Sequence, residues 1–224
     1  MSISARDISA AITPLRLIFW GCVLCLIDVY SNWNIDGQVW KIDLVSDAIG
    51  ALMIAWAVFR LSMQRVGGWY SAAMAFVLVV AFLAILVAVH DHFVYDQPQW
   101  VSSVVQLAPV VGLTATVVFC MAMRRLSAAT GLEQSARSWK ITTLLVAVIS
   151  LIPLGLIYAA GAAATLHIET STSELPNLLV AFVVAQIIPV VHFFLSTSRM
   201  AREAESAANV AEHRGVAPAT TSAS

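Results

Sequence analysis

Residues 70–89 read YSAAMAFVLVVAFLAILVAV, twenty consecutive positions without a charged or amide side chain. A helix rises 1.5 Å per residue, so a run of this length covers about 30 Å, the thickness of a bilayer's hydrocarbon core. A helix that is apolar on every face belongs either in lipid or in the core of a large protein. Working outward, Arg60, Arg65 and Trp69 precede the run, and His90-Asp91-His92 closes it. The segment therefore predicts a transmembrane helix with one basic and one acidic-polar end.

The remainder of the 224 residues follows suit. The chain is 60% hydrophobic and 11% charged, where soluble domains carry about 25% charged residues. We expect an all-α integral membrane bundle of six transmembrane helices, at about 14–30, 44–61, 70–89, 100–123, 141–163 and 178–196. Thr13 and Pro14 read as the N-cap and first turn of the first span. That span lacks a small-x-small cleavage site after Tyr30 and reads as uncleaved. Residues 199–224, rich in Ala, Ser, Thr and Glu, read as a cytoplasmic tail that continues the last helix for a few turns and then frays into disorder.

Charge sets the orientation. Eleven basic residues fall in the first tail, the second-to-third and fourth-to-fifth connections and the last tail, while the alternate loops hold only Lys41. The positive-inside rule then puts both termini in the cytoplasm. Trp33, Trp40, Trp69, Trp100 and Trp139 sit at expected span ends, as an aromatic belt requires. No basic domain or nucleic-acid motif is present, and no cofactor motif either. The expected partners are the bilayer and a small solute or cation.

Ionisable groups at membrane depth are the first places to look for function. Asp28 lies near the outer end of the first span, and Asp43 and Asp47 lie four apart at the outer start of the second, on one face if helical. Converging carboxylates raise one another's pKa or bind a cation. Asp47, the deepest, is the leading ion- or solute-binding candidate, although it could also simply cap its helix. His90, His92 and His167 in the outer loops form a possible metal set, provided an irregular loop brings the first two together. Cys22 and Cys25 form a Cys-x-x-Cys pair, a redox pattern elsewhere and ordinary packing within an apolar span. His192 is expected in a hydrogen-bonded packing role inside the last span. Gln106, Gln186, Pro109, Pro153 and Pro189 indicate kinked helices with interior polar contacts. The third span is expected to face lipid, and Ala51, Ala55, Gly155 and Ala159 to permit close helix approach. Gln106-Leu-Ala-Pro109-Val-Val also echoes Gln186-Ile-Ile-Pro189-Val-Val, a possible internal repeat.

The stretch Ile42-Asp43-Leu44-Val45-Ser46-Asp47-Ala48-Ile49-Gly50 resembles one found in small, uncharacterised multi-pass bacterial membrane proteins, with an Asp-x-x-x-Asp-x-Ile-Gly pattern entering a span. Asp43, Asp47, Ile49 and Gly50 match that pattern; Ser46 stands where those proteins have proline, and Ala51 where they have an aromatic residue. The resemblance implies a bacterial cytoplasmic membrane protein and brings no activity with it. The expectation that follows is a non-enzymatic protein that binds or transports a small solute or cation through an acidic outer-half site. The alternatives are an outer-facing metal-dependent enzyme and a structural or interaction protein.

Overall fold

The computed structural model describes the backbone of residues 5–26, 30–35, 38–43, 47–64, 66–93, 99–164, 182 and 184–215, and the side chains of 13–25, 48–64, 66–87, 107–159, 182 and 184–210. The elements in order are α1 (Ala5–Leu26), β1 (Tyr30–Ile35), β2 (Gln38–Asp43), α2 (Asp47–Ser62), α3 (Gly68–Phe93), α4 (Gln99–Ala129), α5 (Glu133–Leu145), a π-helical segment (Val146–Leu151), α6 (Ile152–Ala164) and α7 (Ile187–Gly215). Three stretches are long and apolar enough to cross a membrane: Gly68–Val87, Leu107–Ala129 and Glu133–Ala159. Thr13–Cys25 and Ala48–Ser62 are shorter apolar helices. Together they support a helical membrane protein.

The helices form a closed ring. Each of α1 to α4 packs against the next in sequence, and α7 packs against both α5 and α1. The buried core lies at the end of the ring holding the α2–α3 and α4–α5 turns, where Leu15, Leu61, Tyr70, Met74, Met123, Leu126, Trp139 and Met200 are enclosed. We call this the basic end, after Arg16, Arg60, Arg124, Arg125 and Arg137.

Local chemistry explains both turns. Gly131 has φ +74°, a left-handed conformation that glycine adopts without a Cβ clash. The Leu132 amide bonds to the Ser127 carbonyl (2.8 Å) and the Gly131 amide to that of Ala128 (3.3 Å). This is a Schellman cap, completed by the buried side chain of Leu132. At the other turn, the buried Tyr70 hydroxyl donates to the Leu61 carbonyl (2.9 Å), one of the acceptors left over at the end of α2.

Several expectations need correction. α1 begins at Ala5 and not at Pro14, which lies buried within it; Thr13 therefore does not cap the helix. The helix ends by Leu26, and the chain then forms an antiparallel hairpin with Trp33 opposite Trp40 and Tyr30 opposite Asp43. The missed signal is Asp36-Gly37 between the strands, a dipeptide typical of hairpin turns. Trp139 is fully buried and not part of an interfacial belt. α3 is not wholly lipid-facing: Tyr70, Ala73, Met74 and Val77 form a helical stripe facing the core, while Phe76, Val79, Phe82 and Leu86 face outward. α7 continues to Gly215 with Met200, Ala201 and Ala204 buried, so much of what low apolar content suggested was a tail is packed helix. Residues 216–224 lie outside the described residues.

Candidate functional site

The polar groups inside the ring are concentrated on the seam between α5 and α7. On one side stand Ser135, Ser138, Trp139 and Thr142, with Ser150 farther along in the π segment; on the other stand Gln186, His192, Ser196, Met200 and Glu203. Apart from the adjacent pair 138–139 and longer gaps at 142–150 and 186–192, both series advance in steps of three and four, the spacing of one helical face. The serines and threonine of this seam are all buried.

At its centre, the Thr142 hydroxyl lies 2.9 Å from His192 Nδ1 and 2.7 Å from Ser196 Oγ. Ser196 Oγ is in turn 2.7 Å from Ser138 Oγ. A hydroxyl both donates and accepts, whereas each imidazole nitrogen does one or the other. A proton on His192 Nδ1 makes it a donor to Thr142; without that proton it accepts from Thr142. Protonation at this atom therefore reverses the direction of the His192–Thr142 bond. Thr142 also reaches the Ser138 carbonyl (3.1 Å).

Farther from the basic end, sequence explains a second polar station. Pro153 has no N–H to bring to the Ile149 carbonyl, four residues back, and the π segment widens the helix at this point. Gln186 fills the gap: its Nε2 donates to the Ile149 carbonyl (3.2 Å) and its Oε1 accepts from Ser150. The expected interior contact of Gln186 is thus present, and Pro153 is what frees its acceptor.

Toward the basic end, Trp139 Nε1 donates to Met200 Sδ (3.2 Å), and Phe119 and Phe193 stand edge-on to the indole at 5.9 and 5.6 Å. Glu203 then accepts from the backbone N–H of Ser135 (2.9 Å) and from its hydroxyl. The N-cap residue of α5, Leu132, has no side-chain cap. A carboxylate from another helix does that work, at the end where the dipole favours negative charge. Glu203→Ala is expected to cost about 1–2 kcal/mol, as loss of a helix cap does, measurable as a lower unfolding midpoint of the detergent-solubilised chain. An unchanged midpoint would show that the cap is idle.

The sequence candidates fare differently. Asp43 ends β2 and Asp47 begins α2, so the two do not share a helical face. Their side chains, and the whole of Asp28 and His167, lie outside the described residues. His90 and His92 fall within α3, whose geometry sets these two positions about 200° apart around the axis. Among the described residues no group of three or more His, Cys, Asp or Glu could hold a metal. None of Cys22, Cys25 and Cys120 is in a disulfide. The Cys22/Cys25 pair lies in the α1–α2 contact, where Cys25 Sγ would stand 2.5 Å from a Cβ on Gly50. Ala51 and Ala55 are buried, but Gly155 is exposed with nothing near it.

The seam escaped notice in the sequence because its partners lie 36 to 68 residues apart. The available signal was a hydroxyl stripe, Ser135-Ser138-Thr142 on α5 continued by Ser150 in the π segment. A hydroxyl beside an imidazole can begin a nucleophile–base pair. Here Thr142 and Ser196 have no exposed surface, so a substrate carbonyl has no approach to either. Comparison with protein-family models, curated proteins and solved structures returns no match.

Proposed function

We propose that the chain is a six-span protein of the bacterial cytoplasmic membrane, with both termini in the cytoplasm, that binds and passes a small cation, the proton being the simplest case. In this reading Asp28, Asp43 and Asp47 gather cations at the outer ends of α1 and α2, where an acidic rim raises their local concentration. His192 is the protonatable step within the bundle. The observation carrying the reading is the His192–Thr142–Ser196–Ser138 row, an ionisable side chain joined to one continuous hydrogen-bonded chain, which in this six-span reading lies at membrane depth. Such groups are costly in lipid and mark ion or proton pathways. The alternation of basic and non-basic loops supports the orientation.

The test is proton entry into vesicles loaded with a pH-sensitive dye, driven by a potassium diffusion potential. Wild-type protein is expected to admit protons faster than protein-free vesicles, and Asp47→Asn and His192→Gln to slow entry at least tenfold. Size-exclusion chromatography checks that each variant remains folded. Wild-type rates equal to those of protein-free vesicles under proton, sodium and potassium gradients would overturn the reading, as would folded variants that match wild type.

A further inference from the structure

At the basic end, away from the α5–α7 seam, Trp69 on α3 and Met121, Arg124, Arg125 and Ala128 on α4 line an open cavity of about 330 Å³. The α4 residues are spaced three and four apart, forming one exposed stripe. The Arg125 guanidinium lies over the Trp69 indole, 4.3 Å from the ring centroid. Stacking uses the face of a guanidinium and leaves its edge, which carries the donors, for an anion. Among the described residues the one ion pair is Arg16–Glu205, so no described carboxylate neutralises Arg124 or Arg125. Two adjacent cations repel each other, most strongly where the dielectric falls near lipid.

Depth identifies the anion's source. Trp69 stands at the start of an apolar helix, and Arg124 directly follows the apolar run of α4, so the cavity lies where hydrocarbon meets headgroups. Met121 and Ala128 provide apolar wall beside the two charges. We propose that this cavity is a binding site for the phosphate of an anionic phospholipid headgroup, gripped by the Arg124 and Arg125 guanidinium groups with Trp69 fixing the orientation of Arg125. Basic pockets between transmembrane helices hold such headgroups elsewhere, and arginine pairs with phosphate through two parallel hydrogen bonds. The contrast with Arg16 is internal to the molecule: that guanidinium also borders a groove, between α1 and α7, but Glu205 already neutralises it.

The site can be tested by native mass spectrometry of the full chain in detergent, titrated with short-chain phosphatidylglycerol, short-chain phosphatidylcholine or inorganic phosphate. Phosphatidylglycerol is expected to bind at least tenfold more tightly than phosphatidylcholine. The double variant Arg124→Gln, Arg125→Gln should lose that preference. A control with the same charge change at the same end, Arg60→Gln with Arg137→Gln, should retain it. Trp69→Phe and Arg125→Lys are expected to weaken phosphatidylglycerol binding several-fold. Equal binding of the two lipids, a preference that survives in the double variant, or an equal loss in the control would overturn the proposal. Displacement of the lipid by millimolar inorganic phosphate would overturn the lipid assignment in favour of a free-phosphate site.

Discussion

Trp139→Ala is expected to lower the unfolding free energy by about 3–5 kcal/mol, the usual cost of removing a large buried aromatic side chain. The indole has no exposed surface, stands edge-on to Phe119 and Phe193, and donates to Met200 Sδ. Truncation therefore empties the junction of α4, α5 and α7 at once. Trp69 makes the comparison informative. It is 39% exposed at the same end of the bundle, and Trp69→Ala is expected to cost less than about 1 kcal/mol, mostly through the Arg125 contact. The measurement is the unfolding midpoint of detergent-solubilised protein against a denaturing detergent. Two small and equal effects would return Trp139 to the interfacial belt that its sequence position suggests.

The second large effect lies at the crossing of α1 and α2. A Cβ on Gly50 would stand 2.7 Å from the Gly21 carbonyl oxygen, and one on Gly21 would stand 2.8 Å from that of Gly50. Neither obstacle is a flexible side-chain end; each is the backbone of the facing helix. Gly50→Ala must push the helices apart and is expected to cost about 1–3 kcal/mol, as overpacking does. Alanine's better helix propensity, about 1 kcal/mol over glycine, works against that loss. Gly155→Ala isolates this opposing term: a Cβ there meets nothing within 4 Å, and its midpoint should stay level or rise. A Gly50→Ala variant as stable as Gly155→Ala would show that the crossing is loose. This close approach gives the glycine of the Asp-x-x-x-Asp-x-Ile-Gly stretch a packing role.

The apolar helices were legible from the sequence because lipid imposes a length and composition that soluble packing does not. The polar contact of Gln186 was legible for a similar reason, since an amide in hydrocarbon needs a partner. The identity of that partner was not, because it required knowing which carbonyl Pro153 leaves without its amide. Trp139 was misread because span ends and buried junctions present the same local pattern of an aromatic beside Lys and Arg. Glu203 looked like tail charge, and only the docking of α7 against α5 turns it into a cap. The acidic candidates were chosen by a helical spacing that the hairpin removes from Asp43, since a strand separates side chains by a different period.

The closed ring also sets an order of assembly. Because α7 packs against both α1 and α5 and follows both in the chain, the ring closes only once α7 has been made. Until it arrives, Ser138 and Thr142 lack their partners Ser196 and His192. Thr142 bridges the interval by bonding to its own backbone at Ser138, as threonine does in isolated helices. The α5 N-terminus meanwhile waits uncapped for Glu203. The helices that precede α7 are thus an intermediate with an unfilled polar edge, which truncation before Ile187 is expected to leave exposed.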